Sequence, residues 1–314
     1  MPLVGFGIWK VPREKTAQSV YDAIKMGYRH IDGAYDYTNS KEAGEGVQRA
    51  IADGLVRRED LFVTSKLWNN YHKKQHALEM AQHEVDTWGI GYLDLYLIHF
   101  PVSLAYIAPS ELRWPCFWSD PEQKQVTAID PTPVSETWAA LESLVRTDAN
   151  PSGILRSIGV ANFSSQLLHD LLSYAAVKPA VLQVEHHPYL VQAGLIRAAQ
   201  AAGVAVTAYS SFGPQSFVEL GNATARDTQP LFSHQVVVDI AQRHGRTPAQ
   251  VLLRWATQRD VIVIPKSNNA QRLAENLDSF SFDLAAEELE AISGLDKGLR
   301  FNNPAALGSL HIFD

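Results

Sequence analysis

Ionisable and amide side chains recur at one kind of place in this sequence, the end of a short run of β-branched or aromatic residues. Asp32 closes the run 29–32, Lys66 follows 61–65 and His99 follows 93–98. Asn162 lies just past 157–160, and Gln183 and Glu185 stand at the end of 181–184. Tyr209 and Ser210 follow 204–208, Lys266-Ser267-Asn268 follows 261–264, and Trp9 follows 4–8. A carboxylate, an ammonium and an imidazole are groups that hold and move protons at a reacting centre. Amides and hydroxyls beside them orient a polar ligand. Taken singly, each has an ordinary reading: a strand-end lysine is more often a surface charge, and a lone histidine a hydrogen-bonded core imidazole. Together they make a site only if one fold brings eight strand ends to the same rim.

The alternation of elements supplies such a fold. Between the apolar runs lie segments of helical period at 14–26, 40–52, 73–88, 133–145, 165–174, 192–202, 235–244 with 248–257, and 270–277. Thr247 before Pro248, and Ser164 before the Leu167, Leu168, Leu171 and Leu172 stripe, read as helix N-caps. Gly27 and Gly203 sit just past helix ends, where a left-handed residue is wanted. Eight βα units in order predict an α/β fold, a single (β/α)8 barrel over residues 1–314, with 296–314 as a tail near the substrate pocket. An open doubly wound sheet would advertise G-x-G-x-x-G after its first strand; Gly5/Gly7, Gly44/Gly46 and Gly89/Gly91 all lack the third glycine. The long connections 101–133, with Trp114, Phe117 and Trp118, and 211–233 follow strands, which places them on the catalytic face of a barrel. Both read as structureless. The extension 146–153 precedes a strand and belongs to the opposite face.

Composition removes other functions. The 314 residues carry 27 basic and 34 acidic side chains, net −7, so no cationic surface for a nucleic-acid backbone is expected. The single cysteine, Cys116, rules out an intrachain disulfide or a Cys-rich zinc site. No apolar stretch approaches the roughly 18 residues of a bilayer span, and the start Met1-Pro2-Leu3-Val4-Gly5 lacks the pattern of a signal peptide. A cytoplasmic protein, monomer or homodimer, is expected. His72 and His76 have metal-ligand spacing, but Lys73 and Lys74 between them point to an exposed helix face, and no metal site is expected. His186 and His187, followed by Pro188, read as packing groups at the barrel top. The sequons at Asn162 and Asn222 would go unused in the cytoplasm.

The runs Tyr28-Arg29-His30-Ile31-Asp32-Gly33-Ala34-Tyr35-Asp36-Tyr37, Thr64-Ser65-Lys66-Leu67-Trp68, Leu95-Tyr96-Leu97-Ile98-His99-Phe100-Pro101 and Ile264-Pro265-Lys266-Ser267-Asn268 resemble the aldo-keto reductase superfamily. Gly5-Phe6-Gly7, Val184-Glu185-His186-His187-Pro188-Tyr189 and the run from Tyr209 to Glu219 resemble its fungal D-xylose (aldose) reductase branch. The resemblance implies a barrel that binds NADPH in extended form, accepts NADH less well, and reduces an aldose such as D-xylose or L-arabinose to its alditol. It makes Asp32, Tyr37, Lys66 and His99 the catalytic four. Hydride transfer to an aldehyde leaves an alkoxide that needs a proton, and Tyr37 would supply it. A phenol titrating near ~10 is sluggish at neutral pH, so the Lys66 ammonium is expected to lower that value, with Asp32 holding the ammonium in place. His99 would orient the carbonyl oxygen.

By the same resemblance, Asn162 and Gln183 would bind the nicotinamide carboxamide, and Tyr209 would stack on its ring. Ser210, Ser211 and the loop to Glu219 would strap the pyrophosphate, with Glu219 able to hold ribose hydroxyls. Lys266, Ser267, Asn268 and Arg272 would enclose the 2′-phosphate, with Glu275 and Asn276 near the adenine. Trp9 and Phe100 would wall the substrate pocket, and Asp36 and Asn302 would bind sugar hydroxyls. Phe117 and Trp118 could line its rim or pack the long loop on itself. Ala161, where relatives have serine, removes one hydroxyl contact, and Thr38 replaces a usual glycine. Relatives begin with a β-hairpin that plugs the barrel floor; this sequence starts inside it, so most of the plug is expected to be missing. Alternatives are reduction of another aldehyde, such as glyceraldehyde or a uronic acid, or a non-catalytic cofactor-binding barrel with a regulatory role.

Overall fold

The apolar runs become the strands of a barrel in the computed structural model, which describes residues 1–112, 117–120, 122, 125–307 and 310–313. The strands are β1 (Phe6–Gly7), β2 (His30–Asp32), β3 (Phe62–Leu67), β4 (Leu95–Ile98), β5 (Trp118–Asp120), β6 (Gln125–Val126), β7 (Ile158–Ala161), β8 (Val181–Glu185), β9 (Ala205–Tyr209) and β10 (Val261–Val263). Eight of them pair in parallel in the order β1-β2-β3-β4-β7-β8-β9-β10. The ring closes through the first residues: Val263 N donates to Leu3 O at 2.8 Å, Gly5 N to Val263 O at 2.8 Å and Gly7 N to Pro265 O at 3.3 Å. Closure leaves none of these eight strands with a bare edge.

The helices are α1 (Arg13–Met26), α2 (Ser40–Ala52), α3 (Lys74–Trp88), α4 (Val134–Glu142), α5 (Ser165–Tyr174), α6 (Ala193–Ala201), α7 (Ala223–Asp227), α8 (Gln235–His244), α9 (Pro248–Thr257), α10 (Ala270–Leu277) and α11 (Ala286–Ser293). Their ends follow local chemistry. Thr247 Oγ1 accepts from Gln250 N at 3.2 Å while Gln250 Oε1 accepts from Thr247 N at 3.0 Å, a reciprocal cap with Pro248 at the first helical position. Ser164 caps α5, and Gly27 ends α1 with φ 114°, a conformation that costs a Cβ-bearing residue far more.

Strand alternation decides what faces the barrel axis. Leu95, Leu97, Ala161 and Val181 pack together with Phe62, while Val63, Leu67, Tyr96 and Ile98 turn toward the helices. The register pairs Asp32 with Thr64 and Lys66 with Leu97, so Lys66 stands two residues above Thr64 on the same inward face. Asp32 and Lys66 thus share the layer at the C-terminal rim.

The long connections differ from expectation. Residues 101–133 contain the antiparallel hairpin β5–β6, and 211–233 contain α7 and three short 3₁₀ turns. Elements of two to five residues are too short for periodicity to register. The helix α11 also escaped the sequence reading. His72 does not lie on an exposed helix face: it precedes α3, is fully buried, and burial pushes its imidazole down to about 4. His76 stacks on Tyr106, with ring centroids 4.0 Å apart. Trp114 and Cys116 lie outside the described residues, as does the side chain of Trp118. No helix among the described residues is long and apolar enough to cross a membrane, and none of their His, Cys, Asp and Glu groupings could hold a metal.

Candidate active site

A cleft of 1140 Å³ opens at the C-terminal rim, lined by residues from the strand ends, the two long connections and the tail. At its floor the Lys66 ammonium is completely buried. It donates to Asp32 Oδ1 at 2.7 Å, to Gly33 O at 2.8 Å and to the Tyr37 hydroxyl at 3.3 Å. The second Asp32 oxygen accepts from Gln183 Nε2 at 2.7 Å, so that carboxylate is engaged on both sides. A buried charge pair survives when its remaining hydrogen-bonding capacity is filled, as here. The Tyr37 phenol behaves differently from the expectation. Burial, reinforced by the Asp32 and Asp36 carboxylates, raises its pKa well above the ordinary phenol value. The phenol therefore keeps its proton at neutral pH.

His99 stands across from Tyr37, its ring edge-on at 6.0 Å. It stacks on Phe100 at 5.2 Å and meets Trp68 edge-on at 5.3 Å. Asp36 Oδ1 lies 3.0 Å from His99 Nδ1. Phe117, just before β5, is buried against Trp68 at 4.8 Å and Phe100 at 5.6 Å, and it also lines the cleft. Packing the loop and lining the rim are the same act. Trp9 closes the other wall against Phe217 at 5.7 Å.

A relay of hydrogen bonds crosses the rim. Asn302 Nδ2 donates to the Tyr209 hydroxyl at 2.9 Å, Tyr209 donates to Asn162 Oδ1 at 2.6 Å, and Asn162 Nδ2 donates to His99 O at 2.8 Å. Asn162 and Ser210 hold left-handed backbone, φ 64° and 54°, as do Lys10 and Thr38 beside the rim, φ 61° and 59°. Such residues cost energy and persist where their surroundings over-determine them. Asn162 is buried and inward, so its sequon is inaccessible.

The far end of the cleft is cationic. Lys10, Lys266 and Arg272 line it, and Lys10 pairs with Glu219 at 2.5 Å. That ion pair spans the cleft from the loop after β1 to the loop after β9. The Lys10 ammonium holds the Glu219 carboxyl below its usual range. Arg272 lies in the first turn of α10, whose Asn269 side chain accepts from Arg272 N at 3.0 Å.

The family model for the aldo/keto reductase family matches residues 3–297. The chain belongs to that family. Among relatives, an NAD(P)H-dependent pentose reductase of Pyricularia oryzae is 68% identical over all of this chain and 96% of its own length. An NAD(P)H-dependent D-xylose reductase of Aspergillus niger is 54% identical over 98% of this chain and 94% of its own. The solved structure of a Bombyx mori aldo-keto reductase in complex with NADP is 35% identical and matches with a TM-score of 0.83, covering 98% of this chain and 92% of that one.

Within this aldo-keto reductase, the cleft gathers Trp9, Asp32, Asp36, Tyr37, His99, Phe100, Asn162, Gln183, Tyr209, Ser210, Ser211, Glu219, Lys266, Arg272 and Asn302. Lys66 lies directly beneath. Ser267, Asn268, Glu275 and Asn276 do not line it. Ser267 Oγ instead accepts from Asn269 N at 3.1 Å, shaping the turn into α10, and Asn276 is buried. Glu275 accepts from Gln271 and faces a shallow neighbouring depression with Arg246 and Asp278. Ser211 Oγ turns back to Ala208 O. Lys10, Trp68 and Asn222, to which sequence reasoning gave no role at the site, also line the cleft. Only Lys10 carried a signal, standing next to Trp9 at the first strand end.

Proposed function

We propose that this chain reduces aldoses of the D-xylose class to alditols with a reduced nicotinamide cofactor, preferring NADPH and accepting NADH. The observation that carries the reading is the pairing of two ends in one cleft. A buried Asp32–Lys66–Tyr37 chain with His99 stands at one end, and Lys10, Lys266 and Arg272 stand at the other. Lys266 and Arg272 form no ion pair among the described residues, so that end suits an anion. A dinucleotide with a 2′-phosphate would suit this donor set: Lys10, Lys266 and Arg272 would hold its phosphates, and Gln183 and Asn162 its carboxamide. When bound, the cofactor supplies the hydride. The names of the fungal relatives support the same substrate class.

The chain's own residues supply the rest. Tyr37, held protonated by burial, donates its proton to the developing alkoxide. Lys66, 3.3 Å from the phenol oxygen, stabilises the phenolate left behind, and Asp32 and Gln183 keep Lys66 aimed. His99 orients the carbonyl oxygen. Asp36 and Asn302 offer polar atoms to sugar hydroxyls in a pocket otherwise walled by Trp9, Trp68, Phe100 and Phe117. The scarcity of cysteine suits a reducing compartment such as the cytoplasm. A panel of aldoses and uronic acids assayed with NADPH and NADH, following loss of reduced-nicotinamide absorbance, tests the reading. Pentoses turned over fastest with NADPH support it. Turnover of none of them would move the chain to the non-catalytic class.

A further inference from the structure

The Glu185 carboxylate, last residue of β8, is completely buried and lies beyond the acid–base group. Among the described residues, no lysine or arginine pairs with it. Oε1 accepts from the backbone N–H of Phe301 at 2.9 Å, and Oε2 from the backbone N–H of Asn302 at 2.9 Å. His187 Nε2 lies 2.9 Å from Oε1. Two successive amides of an irregular segment, which have no ladder or helix to satisfy them, thus converge on one anion. A carboxylate is the side chain that can accept on both oxygens at once.

Residues 301 and 302 are where the tail reaches the site. The Asn302 side chain begins the relay through Tyr209 and Asn162 to His99 O. Phe301 O accepts from Asn222 Nδ2 at 3.1 Å, at the start of α7, and its ring lies 6.1 Å from Phe217. One buried carboxylate therefore sets the height and angle of the tail against both the substrate wall and the loop over the cofactor end. We propose that Glu185 is a positioning residue that sets selectivity for hydroxylated aldehydes: it clamps the Phe301–Asn302 backbone so that the Asn302 amide is presented to the substrate. The kinetic part of this inference rests on the pentose-reductase reading above; the clamp itself does not.

Hydrogen exchange on the wild-type protein tests the clamp first. The amides of Phe301 and Asn302 should exchange at least ~100-fold more slowly than in an unstructured chain. Exchange of both at unstructured rates overturns the proposal, whatever the enzyme's substrate. Glu185→Gln keeps the shape but sets an NH₂ against one backbone N–H. It should deprotect the two amides, raise KM for D-xylose by roughly tenfold with kcat little changed, and leave butanal reduction within about twofold. In an Asn302→Ala background the same substitution should add little to the xylose KM, because its effect passes through Asn302. Equal losses on xylose and butanal, or penalties that simply add in the double variant, would overturn the selectivity role. If neither sugar nor butanal is reduced by wild type, the functional reading falls and the exchange result still decides the clamp.

Discussion

The two ends of the cleft are built from different parts of the fold. At the acid–base end, Asp32 and Lys66 stand on neighbouring strands, and both are almost wholly buried. Their positions follow from strand register, and water cannot screen their attraction. At the cation end, Lys10, Glu219 and Arg272 come from two loops and a helix start, and the Glu219 side chain is 59% exposed. Exposed pairs are individually weak and sensitive to salt. In the function proposed here, the charge pair behind the proton donor is fixed on barrel strands, whereas the groups that would hold a charged ligand come from segments that can adjust around it.

The sharpest way to break this contrast is at the rigid end. Tyr37→Phe should lower kcat by roughly 10²–10⁴ with cofactor affinity kept, and Lys66→Met should be comparably severe. The pH profile carries the same information. The Tyr37 pKa is raised, so kcat/KM for reduction should stay flat through neutral pH and fall only on the alkaline side. Near-normal turnover in Tyr37→Phe would show that the proton comes from elsewhere.

The loop end should respond to a different variable. Arg272→Ala should weaken NADPH by roughly 10- to 100-fold, the range of a hydrogen bond to a charged group, while NADH changes little. Raising salt should shrink the wild-type difference between the two cofactors. Parallel titrations decide it, since equal losses for both would make Arg272 structural.

Between the ends, Asp36 tests where positioning gives way to recognition. Asp36→Ala should cost D-xylose roughly 5- to 50-fold in kcat/KM and butanal much less, because only the sugar offers hydroxyls. A matching loss on butanal would trace to His99, whose Nδ1 lies 3.0 Å from this carboxylate.

Behind the rigid end, Glu84 accepts from Ser40, Ser65 and Trp88 in a fully buried site, and burial pushes it up to about 7. The folded protein thus holds this proton more tightly than the unfolded chain does. Its stabilising effect is present below the ordinary carboxyl range, near ~4.3, and is lost as pH rises toward 7. Melting curves of Glu84→Gln should accordingly show a flatter decline between pH 5 and pH 8 than wild type. An unchanged slope would mean that Glu84 is ionised throughout. The smallest effect is expected at Thr38, a β-branched residue at φ 59°. Thr38→Gly should relieve about 1 kcal/mol of backbone strain, seen as a slightly higher Tm; a lower Tm would mean that the Thr38 side chain stabilises this turn.

Much of the scaffold was legible because its signals are local. All eight barrel strands and the helices α1 to α6 and α8 to α10 follow from two periodicities and a few caps within four residues of each other. The strand ends pointed to Asp32, Lys66, His99 and Gln183 for the same reason. The short hairpin β5–β6 and α7 were missed because so few residues carry no period. His72 was misjudged because the two lysines after it suggested a helix that begins only at Lys74.

What sequence alone determined, then, was the order of the elements and which polar groups stand at the strand ends; through motif resemblance it also pointed to the four residues proposed as catalytic. Tertiary structure decided which of those groups engage one another. Gln183 reaches Asp32 across 151 residues, the Phe301 amide reaches Glu185 across 116, and Lys10 meets Glu219 across the cleft. It also decided the direction of the Tyr37 pKa, which depth of burial and the nearness of Asp32 and Asp36 raise. Periodicity and caps are short-range and survive in a string of letters. Desolvation and long-range hydrogen bonds exist only once the barrel has closed around them.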